Sequence, residues 1–244
     1  MELALIVALL FFAAALLYSS VGHGGASAYL AIMALAGLEP AVMRPTALVL
    51  NVVVASLAVV RFARAGQLPL FALMPFLLGS VPLAFVGGAI VLPSTAYKLL
   101  VGAILLAAAA ELWRTAVRGE EAVLSVPKLP AIAVGGSIGL LAGLTGTGGG
   151  IFLTPLLLLL RWSPPRPAAG ISAGFILANS LAGLAGNLAG VGVVPPALAW
   201  WLPAVVLGAI AGTELGIRRY SPANMRRVLA LVLVVAGLKL ILIG

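Results

Sequence analysis

The chain has 244 residues, 63% hydrophobic and only 8% charged. Its mean hydropathy of +1.24 and low charge set it apart from soluble domains, in which roughly 25% of residues are charged. The net charge of +8 sits on Lys and Arg at the ends of apolar segments, as membrane topology dictates, and no basic patch interleaves with aromatics, so a nucleic-acid partner is excluded. Zero cysteines and a single histidine exclude disulfides, thiolate chemistry and the usual zinc or nickel sites.

In chain order, the first apolar run, Leu3–Ala36, is broken by Gly22-His23-Gly24-Gly25-Ala26. Its start, Glu2 to Leu17, has no basic n-region and no small-residue cleavage site, and is expected to be mature protein rather than a signal peptide. A Pro-containing turn leads to a span at Val42–Val60, which carries Arg44-Pro45-Thr46 and Asn51. A Pro-rich span (Pro69–Leu92) and another at Tyr97–Trp113 follow. The stretch Thr115–Pro130 is the most charged and least apolar. A second interrupted run, Ala131–Leu160, holds Gly146-Thr147-Gly148-Gly149-Gly150. After it come Ala168–Leu188 with Ser172, Asn179 and Ser180, then Pro195–Ile217 and Arg226–Ile243. Spans of roughly 17–25 residues suit a helix crossing the hydrocarbon core.

A shift of 124 residues lays Gly22, Gly24 and Gly25 on Gly146, Gly148 and Gly149, Pro40 on Pro164, and Ser56-Leu57-Ala58 on Ser180-Leu181-Ala182. One register held over so much chain implies two homologous halves, residues 1–114 and 131–244, joined by a cytoplasmic linker at 115–130. As one helix, Leu3–Ala36 would measure roughly 50 Å, too long for a single crossing of a core about 30 Å thick. If each interrupted run folds back or crosses twice, eleven Lys and Arg residues share the linker's side against Arg44, Lys98 and Lys239. Single crossings would split them eight to six. The positive-inside rule favours the first arrangement. The expected fold is an all-α integral membrane protein of about eight transmembrane segments. It is an inverted repeat whose glycine-broken helical hairpins meet at the midplane, with both termini extracytoplasmic. Eight single crossings in a parallel repeat is the alternative.

Irregular backbone survives in a bilayer only where protein or a water-filled cavity satisfies its amides, and paired breaks at matching positions in two halves mark a transporter's substrate site. Each break opens a helix, whose first turn offers unpaired N–H groups and a partial positive charge to an anion. The candidate substrate-binding residues are therefore Gly22, His23, Gly24 and Gly25 with Gly146, Thr147, Gly148 and Gly149. Asn51, Asn179 and Ser180 of the following spans would complete an anion's hydrogen bonds, and an inward-turned Arg44 would act as a gate or electrostatic funnel. The competing reading is that these small and polar residues only pack and glue helices; two breaks in register, each with polar residues inside, favour a site. His23, the single histidine, suits proton coupling or charge matching to an anion, although Thr147 at the matching position means that the fold itself does not require it.

The chain has no aspartate, and no glutamate falls at mid-span, which disfavours a cation pump or channel. The glycine runs lack a following Gly-Lys-Ser/Thr, so ATP hydrolysis is excluded. Neither a nucleophile–base pair nor a metal cluster supports an enzyme, and no cofactor is implied. The implied partners are a small anionic substrate, the lipid bilayer and a coupling proton or sodium ion. A homo-oligomer is compatible with the sequence.

At these residues the chain resembles the TauE/SafE family, sulfite and organosulfonate exporters of bacterial membranes. The resemblance lies in Gly146–Leu157 and Ala168-Ala169-Gly170-Ile171-Ser172, and in Gly22–Ala31 with Met43–Asn51. It covers nearly the whole chain. Ile171-Ser172 stands where the family usually has Thr-Ser. The resemblance implies secondary transport, as export, of a small sulfur-containing or carboxylated anion on an ion gradient; with the paired breaks, the chain is expected to be a protein of the cytoplasmic (inner) membrane that works by alternating access. A passive anion channel is the alternative.

Overall fold

The computed structural model describes residues 2–20, 24–114, 126–187, 195–218 and 223–242. Among them all regular structure is helical, as expected, in ten helices: α1 (Glu2–Ser20), α2 (Ala26–Leu35), α3 (Pro40–Arg64), α4 (Leu70–Ala89), α5 (Ser94–Arg114), α6 (Lys128–Thr145), α7 (Gly150–Leu159), α8 (Pro165–Gly186), α9 (Leu198–Arg218) and α10 (Ala223–Leu242). Four of them, α3, α4, α6 and α8, are long and apolar enough to cross a membrane. Helices α2 and α7 have ten residues each, roughly 15 Å and half of the hydrocarbon thickness.

Both interrupted runs break where the glycines stand. After the first break α2 turns back onto α1. Tyr18 and Ser27 share a hydrogen bond of 2.8 Å between their hydroxyls, and the rings of Phe11 and Tyr29 meet edge to face at 5.2 Å. Phe11 precedes the end of α1 by about 13 Å of helix rise, so a helix that continued outward could not return Tyr29 to it. The second run also reverses: Trp162, just past α7, stands 6.1 Å ring to ring from Phe76, the residue against which Gly135 near the start of α6 lies.

Glycine sets which helices approach closely, as small residues do where lipid removes the hydrophobic drive between helices. Gly135, Gly139 and Gly143 of α6 lie against the backbone of Phe76, Ser80 and Ala84 of α4, so the two helices run parallel. Gly208 and Gly212 of α9 lie in the same way on Phe12 and Leu16 of α1, also parallel. Helix α8 runs beside α4 with Gly174 on Leu73 and Gly186 on Phe85. Helices α5 and α10 are antiparallel, with Gly102 against Ile241 and Gly237 against Leu106. Besides these, α4 packs on α8 and α9 on α3, α7 on α8 and α2 on α3, and α3 on α8.

Two arginines tie the ends of α3 to its neighbours. Arg44, near its start, meets the end of α4, and Arg61, near its end, meets Ile210, Thr213 and Glu214 near the end of α9. Helix α9, and α1 parallel to it, therefore end on the face where α3 ends. Helix α4, and α6 parallel to it, end on the opposite face. Large apolar side chains point outward all round, Phe71 at 98% and Trp200 at 75% exposure among them, as a lipid-facing surface requires. Residues 115–125 of the expected linker lie outside the described residues.

Candidate substrate site

Helices α2 and α7 start in the same way. Gly25 (φ +89°) and Gly149 (φ +80°) are their N-caps, both in the left-handed region that a side chain disfavours. Neither start has a side-chain cap, so the first-turn amides of both helices are left without the usual Ser, Thr, Asp or Asn partner.

The two breaks converge on one residue of α3. Asn51 is fully buried, and it stands near the middle of a 25-residue helix. A Cβ on Gly24 would lie 2.9 Å from Asn51 Oδ1, and a Cβ on Gly148 would collide with Asn51 Nδ2. The same Gly148 position faces Ser180 Oγ of α8 at 3.1 Å, and Ile176 of α8 touches both Gly24 and Gly148. Among the described residues, neither amide atom of Asn51 has a hydrogen-bond partner, nor do those of Asn179 or the hydroxyl of Ser180, although all three residues are fully buried. Buried polar groups are paired in most proteins, and one left unpaired costs about 1–3 kcal/mol. Asn51 and Ser180, buried without partners, thus adjoin two uncapped helix starts.

The rest of the second break is held from the side. Tyr97 Oη donates to the Thr145 carbonyl at 3.0 Å. Thr145 Oγ1 donates to Leu141 O at 2.7 Å and lies 3.0 Å from Thr147 Oγ1. Since the Thr145 proton goes to Leu141, Thr147 is the donor in the hydroxyl pair. Behind α7, Thr154 Oγ1 donates to Ser172 Oγ at 2.6 Å.

Arg44 is 6% exposed. Its guanidinium donates to the carbonyls of Gly87 (2.7 Å) and Ile90 (2.8 Å), with Gly88 as a third acceptor, at the C-terminal end of α4. A cation there complements the helix dipole and the orphan carbonyls. A Cβ on Gly146 would lie 3.0 Å from the Arg44 carbonyl, so the arginine borders the second break through its backbone while its charge faces α4. Gly22 and His23 lie outside the described residues. Among the described residues no group of three or more His, Asp or Glu side chains gathers.

Of the candidate residues, Gly24, Gly148, Asn51 and Ser180 are thus in one place, joined to Gly25 and Gly149 by their helix starts. Ile176 carries no sequence signal, because an isoleucine in an apolar span is indistinguishable from lipid-facing filler. Tyr97 was equally silent as the first residue of an ordinary span.

A family model described as sulfite exporter TauE/SafE matches residues 7–240. A probable membrane transporter protein of Sinorhizobium fredii is 38% identical over 239 residues, 96% of this chain and 97% of that one. A probable membrane transporter protein of Methanocaldococcus jannaschii is 34% identical over 126 residues, 46% of this chain and 45% of its own. One of Bacillus subtilis is 30% identical over 131 residues, 52% of this chain and 46% of its own. No solved structure matches. With its several apolar helices the chain is a multi-pass membrane protein. It belongs to the TauE/SafE sulfite exporter family.

Proposed function

We propose that the chain is a secondary transporter that moves a small anion across the cytoplasmic (inner) membrane by alternating access, as an exporter coupled to a proton or sodium gradient. The single observation that carries the substrate site is the meeting of Gly24 and Gly148 at the unpartnered amide of Asn51. Two half-length helices aim their starts at mid-membrane, and the dipole of each favours negative charge without a fixed cation. The anion's oxygens would accept from first-turn amides at Gly25–Ala26 and Gly149–Gly150, from Asn51 Nδ2 and from Ser180 Oγ. Gly22, His23 and Asn179 belong to the same proposal. Thr147 contributes through its backbone, its hydroxyl proton being directed at Thr145. Arg44 guards one side of the second break.

Alternating access is supported by the arrangement of helices about this point. Exchanging α1–α5 with α6–α10 turns α4 on α6 into α9 on α1, α4 on α8 into α9 on α3, and α2 on α3 into α7 on α8, all of which pack. Since α1 and α6 end on opposite faces, that exchange also reverses direction. This supports an inverted repeat with halves at 1–114 and 131–244, whose two equivalent conformations expose the centre to opposite sides. The side carrying Arg61, Arg64, Arg114, Lys128, Arg161 and Arg166 is then cytoplasmic. The buried state of Asn51 favours a transporter over a passive channel, whose pore would be continuous.

Reconstituted protein decides it. Liposomes preloaded with unlabelled sulfite should accumulate labelled sulfite by counterflow, and an imposed pH or sodium gradient should change the steady level. Flux without counterflow or coupling would instead identify a channel. Absence of flux for every small anion, with a response to a cation, would refute the anion site.

A further inference from the structure

The walls around the two breaks differ in chemistry. Asn51 presents an amide to Gly24 and Gly148, and Ser180 presents a hydroxyl to Gly148. Ile176 presents only carbon. A Cβ on Gly24 would lie 3.0 Å from Ile176 Cγ2 and 3.4 Å from Cδ1, and one on Gly148 would lie 3.1 Å from Cγ2. On Gly150, the first residue of α7, it would collide with Cδ1. One side chain thus reaches both breaks and the first turn of α7, and at each of the three positions it leaves less than the room of a methyl group. Ile176 is 2% exposed, so this wall is dry. At the 124-residue shift its counterpart is Val52, which is only half-buried.

We propose that Ile176 sets the specificity of the anion site, resting on the reading that the two breaks are that site. The donors of Asn51, Ser180 and the first turns satisfy the oxygens of an oxyanion, and the remaining direction from its central atom faces Ile176. A pyramidal three-oxygen anion such as sulfite directs a lone pair there and needs neither room nor a hydrogen bond. A fourth oxygen, as in sulfate, would lie against carbon without a donor, and an unpaired polar atom in a dry pocket is strongly penalised. A carbon substituent, as in an alkylsulfonate, would collide with Cγ2 or Cδ1. The wild type therefore prefers the compact three-oxygen anion, and trimming Ile176 admits the alkyl group without creating a donor for sulfate.

The test is calorimetric titration of the purified protein with sulfite, sulfate, methanesulfonate and ethanesulfonate, for wild type, Ile176→Val and Ile176→Ala. Wild type should prefer sulfite to ethanesulfonate. Ile176→Ala should shrink that ratio at least tenfold, within the roughly 10–200-fold that one methylene commands in an apolar pocket, and lower the sulfite-to-sulfate ratio by less, because the fourth oxygen gains room but no donor. Ile176→Val, which removes only Cδ1, should give a smaller shift in the same direction and decides the question if the alanine variant fails to fold. Sulfite binding with unchanged ratios in the variants would overturn the role of Ile176 and leave the site standing. Failure of wild type to bind any of the four anions would overturn the site, and this proposal with it.

Discussion

Gly24 and Gly148, one in each glycine break, lie against the two ends of one side-chain amide. A Cβ on the first would stand 2.9 Å from Asn51 Oδ1, and on the second it would collide with Nδ2. Both glycines are therefore needed as a close approach to a specific polar group, beyond any general need for thin helices. That distinction separates the substitutions that should harm binding from those that should harm folding.

Gly148→Ala should abolish anion binding. Its φ of +72° adds about 1–2 kcal/mol for an alanine, and its methyl would push Asn51 away. Far-ultraviolet circular dichroism and gel filtration should remain those of wild type while sulfite no longer raises the melting temperature. Undiminished stabilisation by sulfite in this variant would contradict the site.

Asn51→Leu should separate function from stability. The buried amide has no partner among the described residues, so replacing it with carbon of similar shape relieves about 1–3 kcal/mol. The melting temperature without ligand should hold or rise, whereas sulfite affinity should fall at least tenfold. A large drop in melting temperature with affinity intact would make Asn51 a packing residue.

Gly139→Val should behave in the opposite way. Its Cβ would lie 2.6 Å from Ser80 Cα and collide with the Ser80 carbonyl, and forcing α4 and α6 apart costs about 1–3 kcal/mol or more. Folded yield and melting temperature should fall, with sulfite affinity of the surviving protein unchanged. Gly136→Ala, whose methyl would meet the Leu83 side chain at 3.0 Å and the Gly79 carbonyl oxygen only at an ordinary 3.6 Å, should be milder, and equal melting temperatures for the two would refute this packing account.

Arg44→Gln should lower the melting temperature, because at least two carbonyls of the α4 terminus lose a charged donor, at about 1–3 kcal/mol for each unsatisfied group. Arg44→Lys should recover part of this loss. If the charge also steers anions toward the second break, the association rate should fall in Arg44→Gln, persist in Arg44→Lys, and depend on salt only where the charge remains. A rate unaffected in both variants would reduce Arg44 to a helix cap.

His23→Ala should flatten the pH dependence of binding. The chain's single histidine is the side chain suited to proton coupling or to charge matching with an anion. Nitrate, which does not titrate in this range, should bind wild type more weakly at pH 7.5 than at 5.5, and the variant equally at both. Identical profiles would remove His23 from the site.

Much of this was legible in the residues themselves. Composition alone determines a membrane protein, because a chain with 8% charge has too little polar surface for water. The glycine runs announce where the helices break, since a left-handed residue such as Gly25 or Gly149 is a local backbone property. The shift that superposes Gly24 on Gly148 says that the breaks correspond. Which side chains meet them was not legible. A span apolar on every face has no amphipathic stripe to show which way it turns, so Asn51 and Asn179 read alike in the sequence. Only the packing of α3 against α8 brings Asn51, Ser180 and Ile176 to the breaks and turns the charge of Arg44 onto α4. The solvent, the helices and their breaks are readable from the residues, because these follow from hydropathy and backbone sterics one segment at a time. The tertiary structure alone decided which residues face the breaks, because in lipid that choice rests on close contact between helices far apart in the chain.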